Sequence, residues 1–382
     1  MSSKLGREGL AQTGEGVKIG GMFAEKNFRA GWMRRLRAIR GEGDFDRLAI
    51  ELFLWQAKRN AGYRSYLRNL AVLPHTVRSW REIPAVPQEL FKRKALFSHR
   101  LQEARHLYLT SGTTTGRSGR NRLLDIDLYR AGALAAVENL GPKPFAGKAG
   151  TLPLLFLTPS PRRNPHSSLS AMFGFFKQRW GASGAGSGFF VEEGVLQLGR
   201  FLRALEKAVA AGKPVGVLGT AFSFVHLIDS DAPRMKLPAG SFLLETGGFK
   251  GRSRTVEKAE LYRALAARLG VPAGAIWNEY GMTELSSQAY AHGVSGGHRT
   301  PPWAQVSLID PTTGEEAAGE QPGLVRWVDL ANVDGVLALE TQDLAVRAKP
   351  GFGQPFRLIG RLPQVPKRGC SLDAEELKVG TA

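Results

Sequence analysis

From Phe45 to Ala61 the apolar residues Phe45, Leu48, Ala49, Leu52 and Phe53 recur at three- and four-residue intervals, which predicts a helix with one face on a core. The stretch Glu82 to Ser98, EIPAVPQELFKRKALFS, carries two prolines and then an amphipathic run, the pattern of a loop entering a short helix. Alternation over His106 to Thr110 predicts a strand, and the apolar runs Leu152 to Leu157, Val215 to Leu218 and Phe242 to Leu244 read as buried strands. Val256 to Leu269 places Val256, Ala259, Leu265 and Leu269 on one helical side, with Gly270 as the stop signal. Strands interleaved with helices predict an α/β sheet. From Gln305 onward the texture changes to QVSLID, PTTGEE, GLVRWVDL and VLALETQDLAV, short runs and turns that predict an antiparallel, β-rich subdomain.

Composition narrows this picture. Of 382 residues 43% are hydrophobic and 23% charged, so most of the chain is expected to fold rather than stay disordered. Met1 to Gly20 is polar and Gly-rich, without the apolar stretch of a secretory signal, and the first 25 residues read as a loose tail. No window approaches the roughly 18 uninterrupted apolar residues of a membrane helix, so a cytoplasmic protein without a membrane span is expected. Cys370 is the single cysteine, which rules out an intrachain disulfide and a thiolate-rich metal site. The seven histidines show no helical pair at metal-ligand spacing. Fifty-two Lys and Arg against 34 Asp and Glu give a formal charge of +18, which would attract nucleic acid, an anionic surface or an anionic substrate such as ATP. The cations fall in short groups (Arg34, Arg35, Arg37; Lys92, Arg93, Lys94; Arg117, Arg120, Arg122) without a long basic tract, so no nucleic-acid partner is expected and a solvated basic surface is the simpler reading.

Two segments can carry chemistry. Tyr108 to Gly119, YLTSGTTTGRSG, is a strand running into a turn dense in hydroxyls and glycines. Glycines let backbone N–H groups approach an anion, Ser111, Thr113, Thr114 and Thr115 add donors, and Arg117 and Arg120 add charge, so this turn suits a phosphate chain. A polar surface hairpin is the alternative, and no GK[ST] follows to make a Walker loop. Trp277 to Gln288, WNEYGMTELSSQ, ends an apolar approach in a Tyr-Gly turn and presents Thr283 beside Glu284, a hydroxyl and carboxylate suited to phosphate and Mg²⁺. A buried turn with an ordinary helix-start Thr-Glu pair is its alternative. GVSGG at Gly293 to Gly297 lacks the helix that a serine-hydrolase elbow needs, and Gly181 to Gly188 lacks GxGxxG spacing, so both read as loops.

Taken together, TSGTTTG (Ser111, Gly112, Thr113, Thr114, Thr115, Gly116), TGG (Gly247, Gly248) and YGMTE (Tyr280, Gly281, Thr283, Glu284) stand in the order found in adenylate-forming ligases, which the chain resembles. The resemblance implies that the first loop holds the ATP phosphates, that the glycine pair lies by adenine, and that the YG-TE segment meets base, α-phosphate and Mg²⁺. It also implies that Asp343 in LETQDLA holds the ribose and that Gly360 and Arg361 form a hinge pair. Those ligases usually continue into a domain bearing an adenylation lysine, whereas this chain ends about twenty residues after Arg361, too few for a domain. Lys250, Arg361 and Lys367 are the cations open to take that role.

More narrowly, the chain resembles the acyl-protein synthetases of the bacterial luminescence fatty-acid reductase complex, through segments at Pro165 to Met172, Gly281 to Gln288 and Arg368 to Leu372. This implies a large domain of mixed α/β sheets with a β-rich subdomain over residues 26–358, and a strongly truncated C-terminal remnant, 359–382, carrying Cys370. It further implies ATP and Mg²⁺ as cofactors, a long-chain fatty acid as substrate, and Cys370 as the thioester carrier. An acyl reductase and an acyl transferase protein are the implied partners. Lys367 and Arg368 beside the thiol favour thiolate, although a lone cysteine near a chain end can also be incidental. His166, in RRNPHSSLS, either positions the acyl phosphate or thiol or makes a structural hydrogen bond. A phenylacetate-CoA-ligase-like acid–CoA ligase and a non-catalytic ligase-fold binding subunit stay open as other functions.

Overall fold

A computed structural model describes residues 26–110, 119–183, 186–247, 256–347 and 351–362. Cys370, Ser111 to Gly116, Gly248, Lys250 and Lys367 lie outside the described residues. The first third holds helices α1 (Lys26–Arg37), α2 (Glu42–Arg59) and α3 (Ala61–Asn69), strands β1 (Val86–Pro87), β2 (His106–Leu109) and β3 (Arg120–Leu123), and α4 (Asp127–Leu140). The middle holds β4 (Leu154–Leu157), α5 (Ser168–Trp180), β5 (Gly188–Phe189), β6 (Val191–Glu192), β7 (Val195–Leu196), α6 (Leu198–Ala210), β8 (Gly216–Thr220), α7 (Ala221–Asp229), β9 (Phe242–Thr246) and α8 (Lys258–Leu269). The remainder is β10 (Ile276–Tyr280), β11 (Ala289–His292), β12 (Ala304–Ile309), β13 (Gly323–Asp329), β14 (Ala338–Val346) and β15 (Arg357–Arg361).

The predicted apolar runs form the middle of a six-stranded sheet ordered β11-β10-β9-β8-β4-β5, parallel throughout except at β10–β11. Side chains alternate across it. Leu154, Phe156, Leu218, Phe242 and Leu244 join Phe173, Phe176 and Trp180 of α5 in one core. Leu155, Leu157, Val217, Leu243 and Ile276 join Phe201, Leu205, Phe224 and Leu265 of α6, α7 and α8 in the other. A parallel sheet covered on both faces needs apolar residues at every position, which is why these strands read as unbroken runs. Gly188, placed by the sequence in a loop, instead begins β5 and pairs with Leu155.

The β-rich region is a second sheet, with β12, β13 and β14 antiparallel as predicted. Its unpredicted feature is the outer edge of β14. There β1 pairs in parallel with Leu339 and Glu340, and β15 pairs antiparallel with Asp343 to Val346.

Buried polar side chains of the first helices reach across the sequence to the 330–337 turn. Trp32 Nε1 donates to the Leu330 carbonyl, Gln56 Nε2 to that of Asn332, and Asn60 Nδ2 to that of Gly335. Arg29 forks onto Asp334, Nη1 to Oδ2 at 3.0 Å and Nη2 to Oδ1 at 2.5 Å, with both residues under 5% exposed. Asp334 Oδ2 also accepts from Leu124 N at 3.0 Å. Asp334→Ala removes the forked partner of a buried guanidinium and leaves it the part-exposed Asp125, whose Oδ2 lies 3.3 Å from Nε, so a loss of about 3 kcal/mol in urea unfolding is expected. Among the described residues no helix is long and apolar enough to cross a membrane.

Candidate active site

Strand β10 delivers Asn278 and Tyr280 to one side of the sheet and Glu279 to the other, as its period of two requires. The Tyr280 ring sits against His298, Trp327 and Phe356 at centroid separations of 5.8, 5.8 and 6.0 Å. Its hydroxyl donates to Asp343 Oδ2 at 2.7 Å. Burial first, and then the Asp343 charge, push the phenol well above its ordinary range, so it stays a donor.

From Asp343 the contacts continue. Arg361 Nε lies 3.7 Å from Asp343 Oδ1, and Arg361 Nη2 donates to Gln88 Oε1 at 3.2 Å. Gln88 Nε2 in turn donates to Glu284 Oε1 at 3.2 Å. Four residues nominated from three motifs, Tyr280 and Glu284, Asp343, and Arg361, are thereby joined through one that the sequence did not nominate.

Glu284 is 2% exposed, and its backbone carbonyl accepts from Asn332 Nδ2 at 2.8 Å. The turn after it is fixed by Asp329, which accepts from Ser286 N at 2.8 Å and Ser287 Oγ at 2.6 Å. Thr283 is held from two sides: Asn121 Nδ2 donates to its carbonyl at 2.6 Å, and Ser168 Oγ lies 3.3 Å from its Oγ1. Asn121 stands on β3, the strand that leaves the Ser111 to Gly116 loop. At the base of that loop Thr110 N donates to the Gly119 carbonyl at 2.9 Å, and Gly119 N to Thr110 Oγ1 at 2.6 Å. The stems of the hydroxyl-rich turn thus lie beside Thr283. His166 makes a structural contact here, Nδ1 to the Leu107 carbonyl at 3.0 Å.

Below Tyr280 lies a buried polar layer. Glu245 Oε1 accepts from Tyr262 Oη at 3.0 Å and Asn278 Nδ2 at 2.7 Å, while Asn278 Oδ1 pairs with His298 Nε2. Since the Asn278 amide nitrogen is committed to Glu245, its oxygen needs a donor, which assigns the proton of His298 to Nε2. Burial, with Lys258 adding to it, pushes His298 down to about 3, so the ring is neutral. On the other side of β10, Thr246 Oγ1 donates to Glu279 Oε2. Gly247 follows at φ 74°, in the left-handed region. At Gly281 a Cβ would stand 2.5 Å from Glu279 Oε1, so a side chain here would force that carboxyl group to move.

Burial raises both Glu245 and Glu279 to about 7. A carboxyl held above its ordinary 4.5 binds its proton more tightly when folded, so its contribution is full below about 4.5 and is lost as pH rises through 7. Glu279→Gln is therefore expected to flatten the fall in stability between pH 5 and 8. The change is at most about 1.4 kcal/mol per pH unit, read from denaturant midpoints at several pH values.

Among the described residues no three His, Cys, Asp or Glu side chains cluster as a metal site. A carboxylate such as Glu284 fits a Mg²⁺ that arrives on substrate phosphates, because Mg²⁺ commonly takes one or two protein carboxylates and keeps phosphate and water for the rest of its shell.

The arrangement of these sheets is the fold of adenylate-forming ligases. The structure matches 2-hydroxyisobutyryl-CoA ligase, in an open conformation in complex with 2-HIB-AMP and CoA, with a TM-score of 0.60 and 13% identity over 84% of this chain and 74% of that one. The same ligase in its postadenylation state with 2-HIB-AMP matches with a TM-score of 0.59 and 14% identity, over 84% and 68%. By sequence, the family described as acyl-protein synthetase, LuxE, matches residues 45–377, and the chain belongs to that family. It is 22% identical over 342 residues to the long-chain-fatty-acid–luciferin-component ligase of Aliivibrio fischeri, covering 86% of each chain. The family expected from the motifs is the one found, and the chain is a ligase.

Proposed function

We propose that this ligase activates a long-chain fatty acid with Mg-ATP and carries the acyl group on Cys370. A carboxylate oxygen attacks the α-phosphorus, a new P–O bond forms, and pyrophosphate leaves. The Cys370 thiolate then attacks the acyl carbon, a thioester forms, and AMP leaves. In this reading Ser111 to Gly116 hold the phosphates, Gly247 and Gly248 flank the adenine, and Tyr280 and Gly281 meet it. Asp343 takes the ribose, and Thr283 and Glu284 serve the α-phosphate and the magnesium. Arg361 faces the negative charge that develops on phosphate.

The observation that carries the proposal is the line of polar contacts from Tyr280 through Asp343, Arg361 and Gln88 to Glu284, three hydrogen bonds and the Asp343–Arg361 ion pair, which links nominated groups of several segments. The acyl enzyme would pass its load to an acyl reductase, in keeping with the luciferin-component ligase to which the chain is similar. The test is exchange of labelled pyrophosphate into ATP, expected only when a long-chain fatty acid and Mg²⁺ are both present. Exchange absent with every acid tried would sink the proposal and favour a binding subunit. A second reading, transfer to free coenzyme A, is motivated by the fold match to an acid–CoA ligase. It predicts that labelled acyl groups leave the protein only when coenzyme A is added.

A further inference from the structure

The outer edge of β14 is shared by two strands, β1 along Leu339 and Glu340 and β15 along Asp343 to Val346. Gln88 is the first residue past β1, and Arg361 is the last residue of β15. The two strand ends therefore meet over the middle of β14, and the meeting point faces Glu284. Residues 88–92 coil at once into a short 3₁₀ segment packed on both β14, which bears Asp343, and β3, which bears Asn121.

Resting on the ATP reading above, we propose that Gln88 is a positioning residue for the activation step, a neutral spacer that holds Arg361 and Glu284 in place and apart. A carboxamide presents a donor and an acceptor, and Gln88 uses both, donating from Nε2 to the carboxylate and accepting at Oε1 from the guanidinium. The neighbours differ sharply in freedom. Arg361 is 57% exposed on a long flexible stem, whereas Glu284 is 2% exposed. Without the spacer the arginine is free to swing from Asp343 toward the buried carboxylate and pair with it. That pairing would put a guanidinium at the carboxylate that is to meet Mg²⁺ and remove the cation from the ribose aspartate in the same movement. A Glu at position 88 would repel Glu284 and a Lys would repel Arg361, so an amide is the side chain that suits both sides.

Gln88→Met tests this, because it keeps the length of the side chain and removes both hydrogen bonds. Equilibrium binding of α,β-methylene-ATP is measured with and without Mg²⁺, in the absence of any acid, so no turnover enters the readout. The expected result is a roughly tenfold loss of the magnesium-dependent gain in affinity, with magnesium-free affinity within about twofold of wild type. In the exchange assay kcat should fall while KM for the acid holds. Gln88→Leu should behave in the same way, and thermal midpoints of both variants confirm that they are folded. A folded variant that keeps the full magnesium-dependent gain, or that loses affinity equally in both conditions, overturns the role of Gln88 and leaves the ATP reading intact. Wild-type protein without any magnesium-dependent gain overturns both.

Discussion

Replacing Glu284 with glutamine should lower kcat/KM for acid-dependent pyrophosphate exchange by on the order of 10²–10³-fold, the equivalent of the several kcal/mol that a correctly held metal contributes to a phosphoryl transition state. The substitution is chosen for its shape. A glutamine side chain retains an oxygen that can accept from Gln88 Nε2, and the Asn332 bond to the backbone carbonyl is unaffected, so both of these contacts are kept. What disappears is the negative charge, in a position that is 2% exposed and where solvent screening is weak. Comparing magnesium titrations of the two proteins decides the matter: a higher magnesium requirement in the variant supports the assignment. Exchange that proceeds at the wild-type rate with the wild-type magnesium requirement removes Glu284 from the chemistry.

Cys370→Ser should abolish retention of labelled acyl groups on the protein and leave pyrophosphate exchange within about twofold of wild type. The two half-reactions need different groups, because the first uses phosphate ligands and the second a sulfur nucleophile. Serine keeps the size of the side chain but has no appreciable anionic form near neutral pH, so adenylate would form and then find no acceptor on the chain. Hydroxylamine release of label from the wild-type protein at neutral pH checks that the bond is a thioester. Label that survives the substitution places the acyl group elsewhere, and exchange that fails along with it would mean that Cys370 matters before the transfer step.

The sequence exposed the parts of this site that announce themselves through motifs, and the structure supplied what joins them. Tyr280 and Glu284 were nominated from a Tyr-Gly turn followed by a paired hydroxyl and acidic residue, and Asp343 and Arg361 from the resemblance to adenylate-forming ligases. Gln88 and Asn121 were not, since a single amide carries no periodicity, and each acts on a residue more than 150 positions away. Strands β4, β8 and β9 of the central sheet were legible as apolar runs, and α8 by its spacing and Gly270. Helices α4 and α5 escaped for an opposite reason. Both are buried over much of their circumference, so Leu128, Ala133 and Val137 in one and Met172, Phe173 and Phe176 in the other give no clean polar face to read. Helix α6 keeps such a face, with Phe201, Leu205 and Ala208 on its buried side, and its spacing is readable in hindsight. The parallel pairing of β1 with β14 had no local signature at all, because two residues on a sheet edge form no pattern of their own.

The grip of the first helices on the 330–337 turn also sets an order of events on the ribosome. Arg29, Gln56 and Asn60 emerge about three hundred residues before the groups that will satisfy them, and contacts of such separation are closed late. Until then the amino-terminal helices carry a guanidinium and two amides on surfaces destined for the interior. The central sheet, whose neighbouring strands lie closer in sequence, can assemble in the meantime, and arrival of Asp334 supplies the partner that Arg29 needs to dock.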